Sequence, residues 1–106
     1  MDVPQSYIAE FRQLLNSGRA AVRGMLRMTP NEQPLQAAVR QYDRCFGILD
    51  AMTMDEKTSP LTVINANRIR RIARGAGTTD QEVIQFVYSL RDFCEQLSRM
   101  SRRDSA

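Results

Sequence analysis

Apolar side chains recur at helical spacing along most of this chain. Tyr7, Ile8, Phe11, Leu14, Leu15, Val22, Met25 and Leu26 step by threes and fours and predict a first helix over about residues 5–27. Arg12, Arg19, Arg23 and Arg27 lie off that stripe. Gly18 and Gly24 each weaken the helix by about 1 kcal/mol relative to Ala, so a bend or break is expected near Ser17-Gly18. Thr29 to Pro34 reads as a loop or short turn, with Thr29 and Glu32 at capping-box spacing and Pro30 fit for a first helical position. A second helix follows over about 35–51, carried by Leu35, Val39, Tyr42, Phe46, Leu49 and Met52. Thr53 with Glu56 opens a short helix. Leu61, Val63 and Ile64 are expected to dock a linker onto the core, and Asn65 or Asn67 to cap the next helix. A long last helix runs over about 80–99 on Val83, Phe86, Val87, Leu90, Phe93, Cys94 and Leu97. The prediction is an all-α fold: one small helical domain over 1–100 with four main helices, then a flexible tail over 101–106.

Charge changes the picture between the two halves. Arg68, Arg70, Arg71 and Arg74 fall within seven residues that contain no acid. The chain has 15 Lys+Arg against 12 Asp+Glu, so without these four the remainder is 11 against 12 and nearly neutral. The excess positive charge is therefore local. Wound as a helix, Ile69, Ile72 and Ala73 share one face, so burying them turns the arginines outward. Gly75 and Gly77 suit a helix end that needs positive φ. Thr79 with Glu82 has the spacing of a new capping box. Helix, glycine turn and helix make a helix-turn-helix in the C-terminal half. An outward cationic ridge with no local counter-charge fits a polyanion, with nucleic acid first among the candidates.

Other chemistry is thinly represented. With no histidine in the chain, the common metal ligand, general base and triad partner are missing together. No catalytic residues, metal site or cofactor are expected. Asp55 and Glu56 read as first-turn carboxylates that complement a helix dipole. Cys45 and Cys94 sit on apolar stripes and are expected to be reduced thiols of a cytoplasmic protein. No apolar run is long enough to span a membrane, and the polar N-terminus reads as no secretion signal.

The ordered series Met52-Thr53-Met54-Asp55-Glu56, Val63-Ile64 and Asn67-Arg68-Ile69-Arg70-Arg71-Ile72-Ala73-Arg74-Gly75-Ala76-Gly77, followed by a long amphipathic helix, resembles the M domain of the signal recognition particle GTPase subunit. That family comprises bacterial Ffh and its archaeal and eukaryotic counterparts. The similarity runs over about residues 48–100. Asn67 and Ala76 depart from it, each standing where the family usually has Ser; Ala76 has no hydroxyl, which leaves only backbone contacts there. The resemblance implies binding of the particle RNA hairpin through Asn67, Arg68, Arg70, Arg71, Arg74, Gly75, Ala76, Gly77 and Thr79. It also implies a methionine-lined groove for hydrophobic signal sequences, here to be built from Leu14, Leu15, Val22, Met25, Leu26 and Met28. The family's long finger loop after the first helix does not appear as an extended loop in the sequence; it is either short here, trimmed, or replaced by the Gly18–Pro34 segment. Other particle subunits and the ribosome are further implied partners.

The chain has no Gly-x-x-x-x-Gly-Lys-Ser/Thr motif, so enzyme activity is not expected, and it is expected to be one domain of a longer protein, with a separate small relative as the alternative. The competing reading is a helix-turn-helix DNA-binding regulator that inserts its last helix into the major groove. The acidic start of that helix, Asp80-Gln81-Glu82, suits phosphate poorly, and no DNA partner is expected.

Overall fold

A computed structural model describes residues 4–59 and 64–104, with side chains to residue 100. Among the described residues five helices follow in order: α1 (Gln5–Met28), α2 (Gln33–Ala51), α3 (Met54–Thr58), α4 (Ala66–Ala76) and α5 (Asp80–Asp104). Four are long and α3 is a single short piece, among described residues that include no strand.

α1 and α2 form an antiparallel hairpin. Arg12 meets Asp50 at 2.6 Å, Arg19 meets Asp43 at 3.0 Å and Arg23 lies 3.7 Å from the same carboxylate. Under this seam lies Phe46, with the Arg19 guanidinium 4.1 Å above its ring centroid. The hairpin's proximal half is core: Ile8, Phe11 and Leu15 from α1 and Phe46, Ile48 and Leu49 from α2. Ile72 and Ala73 of α4 and Val83, Phe86, Val87, Leu90 and Cys94 of α5 complete it. Phe11 stands edge-on to Phe86, with centroids 5.7 Å apart, and tilts against Phe93 at 5.1 Å. Beyond Leu15 on α1, and before Phe46 on α2, no residue is buried. The distal halves therefore project from the core as a two-helix arm.

Several boundaries differ from those read in the sequence. α1 runs unbroken through Ser17-Gly18. Gly18 marks a close approach instead of a bend: a Cβ there would overlap the Tyr42 hydroxyl and lie 2.7 Å from Cζ. Thr29 ends α1 and does not open a helix; its hydroxyl donates to the Met25 carbonyl at 3.0 Å. Pro34 sits within the first turn of α2, where a missing N–H costs nothing, so that helix starts at Gln33. At the far end of the chain α5 continues to Asp104, past the expected limit at residue 99. Ile64 packs against the core as expected, whereas Leu61 and Val63 lie outside the described residues.

Candidate nucleic-acid interface

The local sequence fixes both ends of α4. Asn65, with extended backbone, accepts the Arg68 N–H through Oδ1 at 3.0 Å and caps the helix start. Gly77 ends it in the left-handed region at φ 69°. The amides of Gly77 and Thr78 both reach the Ala73 carbonyl, as in a Schellman-type stop. Two residues later Thr79 caps α5: its Oγ1 accepts the Glu82 N–H at 3.1 Å while Glu82 Oε1 accepts the Thr79 N–H at 3.2 Å. The helix-turn-helix expected from sequence is present, with its turn compressed between two caps.

Packing then sets which way α4 faces. Ile72 and Ala73 are buried and Ile69 and Ala76 are partly so. Close contact with α2 is made at small residues on both helices. A Cβ on Gly47 would lie 3.4 Å from the Ala76 carbonyl oxygen, and one on Gly75 would lie 3.5 Å from Ala51. Larger side chains at 47 or 75 would lift α4 off α2. Asn67, Arg70, Arg71 and Arg74 are left exposed on the opposite side, with Arg68 at its edge.

The ridge is not free of counter-charge, which corrects the sequence-based view. Glu56 of α3 is fully buried, and its two oxygens serve both helices. Oε1 accepts the Thr53 backbone N–H at 2.8 Å and a very short bond from Arg71; Oε2 faces Arg68 at 3.4 Å. Burial alone would raise the Glu56 pKa, but the Thr53 amide and the Arg71 guanidinium outweigh it and hold the carboxyl below its ordinary range. The carboxylate is thus a fixed anchor. Arg68 and Arg71 keep 39% and 50% of their side-chain surface in solvent, so each turns one edge to Glu56 and another outward. Arg70 and Arg74 pair with no carboxylate among the described residues. Glu56 was legible in sequence only as a capping residue, because 12 and 15 positions separate it from the arginines it holds.

The remaining candidates divide. Gly75, Gly77 and Thr79 are exposed, while Ala76 is half-buried against α2. The Thr79 hydroxyl also lies 3.2 Å from Glu82 Oε1, so it is already engaged in its cap. Thr78, which the sequence did not single out, buries its hydroxyl oxygen with no hydrogen-bond partner among the described residues.

A second surface runs along α1 from the core onto the arm. Leu14, Met25 and Met28 of α1 are exposed, by 55%, 48% and 85%, and Val22 and Leu26 are half-buried. Leu14, Met25 and Met28 share one flank of α1, away from the flank that carries Arg12, Arg19 and Arg23. Leu15 does not join them; at 9% exposure it is part of the core. Both cysteines are free thiols. Burial, with the nearby Glu82 charge, raises the Cys45 pKa, and burial raises that of Cys94, so neither is activated as a nucleophile. Among the described residues no cluster of metal-binding side chains occurs, and no helix is long and apolar enough to cross a membrane.

Comparison with known proteins identifies the family of the chain. A family model described as the signal peptide binding domain matches residues 5–106. The signal recognition particle 54 kDa protein of Pyrobaculum islandicum is 32% identical over 95 residues, covering 90% of this chain and 19% of the relative. The protein of the same name in Pyrobaculum arsenaticum is 34% identical over 90 residues, covering 85% and 18%. That of Thermoplasma volcanium reaches 42% over 53 residues, covering 50% and 11%. The chain thus spans about a fifth or less of the length of these relatives. No solved structure matches. With its family match over nearly the whole chain, its Met-Thr-x-x-Glu element anchoring the arginine helix and its glycine turn, the chain belongs to the signal peptide binding domain family, the M domain of the signal recognition particle 54 kDa protein and bacterial Ffh.

Proposed function

We propose that this domain binds the RNA of the signal recognition particle through α4 and the turn after it, and receives hydrophobic signal sequences on the open flank of α1. The role is one of binding, not catalysis, in cytoplasmic protein targeting. The observation that carries the RNA reading is the division of labour along α4. Arg68 and Arg71 are pre-positioned by a buried carboxylate, while Arg70 and Arg74 pair with no carboxylate among the described residues. A guanidinium tethered on one edge loses less freedom on binding, and its free edge still offers a planar pair of donors to phosphate or guanine. The Gly77 turn has no Cβ at its tip, so an RNA backbone can come close to the main chain there.

Looped RNA is favoured over a regular duplex by chemistry. A regular A-form stem hides its base edges in a deep, narrow groove, whereas an internal loop opens them. The test is competition binding with labelled particle hairpin. Preference for the looped hairpin over both a fully paired RNA stem and duplex DNA is expected. Equal competition by duplex DNA would favour a regulator of the DNA-binding class instead.

For signal sequences, what supports the reading is the family match together with the unpartnered apolar flank of Leu14, Met25 and Met28. Flexible methionines adapt to varied apolar segments.

A further inference from the structure

The sorting of charge along α2 has no role in the reading so far. That helix carries two acids and two cations between Gln33 and Ala51: Asp43 and Asp50, Arg40 and Arg44. Both acids lie on the flank toward α1, where Arg12, Arg19 and Arg23 pair with them. Both cations lie on the outer face, in line with Gly47 and Ala51 at steps of four, three and four residues. That face is the one α4 crosses, since Gly47 meets Ala76 and Ala51 meets Gly75. Arg44 is therefore one turn from the point where α4 ends, and Arg40 one turn farther, about 10 Å along α2 from Gly47.

Arg44 is also linked directly to the turn. Its Nε lies 3.5 Å from Glu82 Oε2, while the other oxygen of the same carboxylate holds Thr79. Its Nη1 donates to Gln41 at 3.3 Å, and about half of the side chain is in solvent. Arg40 is exposed and pairs with no acid among the described residues. Asp80 is exposed and makes no ion pair among the described residues.

We propose that the RNA surface continues past the glycine turn along the outer face of α2, where Arg44 and Arg40 take phosphates of the regular stem next to the looped segment. This rests on the RNA reading above. The two arginines would recognise the shape and charge of the stem, not its sequence, since a regular RNA helix offers mainly backbone to such side chains. Arg44 would exchange part of its contact with Glu82 for phosphate, leaving the Thr79 cap in place.

The experiment compares two particle hairpins that share the internal loop but differ in stem length on either side of it. Each is titrated at several salt concentrations with the wild type, with Arg40→Ala/Arg44→Ala, and with Arg27→Ala/Arg99→Ala as a charge-matched control. The expected result is weaker binding of the long-stem hairpin by the first variant, about three- to tenfold, with a log–log salt slope shallower by about 1–2. Its affinity for the short-stem hairpin should match that of the control. Wild-type binding that Arg40→Ala/Arg44→Ala leaves equal to the control on both hairpins would overturn the extension alone. Failure of the wild type to bind either hairpin would overturn the RNA reading with it.

Discussion

Glu56 is the residue on which the arginine ridge depends. It joins the cap of α3 to the guanidinium groups of α4, so one buried carboxylate fixes both a helix start and the arginine ridge. Glu56→Gln keeps an oxygen for the Thr53 amide but loses the charge. The arginines are half in solvent and can rehydrate, so the expected loss of stability is modest, about 1–3 kcal/mol by denaturant unfolding. The sign with pH follows from the lowered pKa. The wild-type advantage should be complete above the unfolded carboxylate value of about 4.3 and fade as pH falls through the lower folded value. A difference between wild type and variant that persists unchanged at the acid end would contradict this. In RNA binding the same variant should discriminate less between looped hairpin and regular stem, because Arg68 and Arg71 lose their orientation while keeping their charge.

At the scale of elements, the sequence was informative wherever the signal was local. The caps at Thr53 and Thr79 were readable from residues a few positions apart, and those of α4 were narrowed to two candidates at each end, of which Asn65 and Gly77 are the ones used. Contacts across the fold were not readable. The tether from Glu56 to α4 and the packing of Tyr42 on Gly18 depend on which helices become neighbours, which local spacing does not encode. Gly18 therefore looked like a weak point in α1; the turn read from Thr29 is present, but it ends at Glu32, the N-cap of α2. The two glycines of α1 now separate by prediction. Nothing lies within 4 Å of a Cβ at Gly24, so Gly24→Ala should stabilise the domain by about 0.8–1 kcal/mol. Gly18→Ala should show no such gain, because the new methyl displaces Tyr42. Parallel thermal melts check both; an equal gain from the two would mean that α1 and α2 do not approach as closely as described.

For the whole molecule, the arrangement is a flat body of 45 × 39 × 16 Å with its core at one end. The ridge of α4 lies on the core, on a rigid base. The apolar flank runs out along the arm, where no side chain is buried and methionines stand in solvent. Stiffness is thus placed under the surface proposed for a structured RNA, and adaptability where varied apolar segments would be held. Photo-cross-linking from a signal peptide should mark Met25 and Met28 and spare Leu15, whose burial removes it from the surface the sequence assigned to it. Labelling confined to α5 would contradict that placement.

The most direct measurement concerns Arg70 and Arg74, which make no ion pair among the described residues and so can be removed without disturbing the fold. Titration of the looped particle hairpin with Arg70→Ala/Arg74→Ala at several salt concentrations should show affinity reduced by about tenfold or more and a log–log slope shallower by about 2. Affinity and slope identical to those of the wild type would contradict the assignment of α4 as the RNA-binding helix.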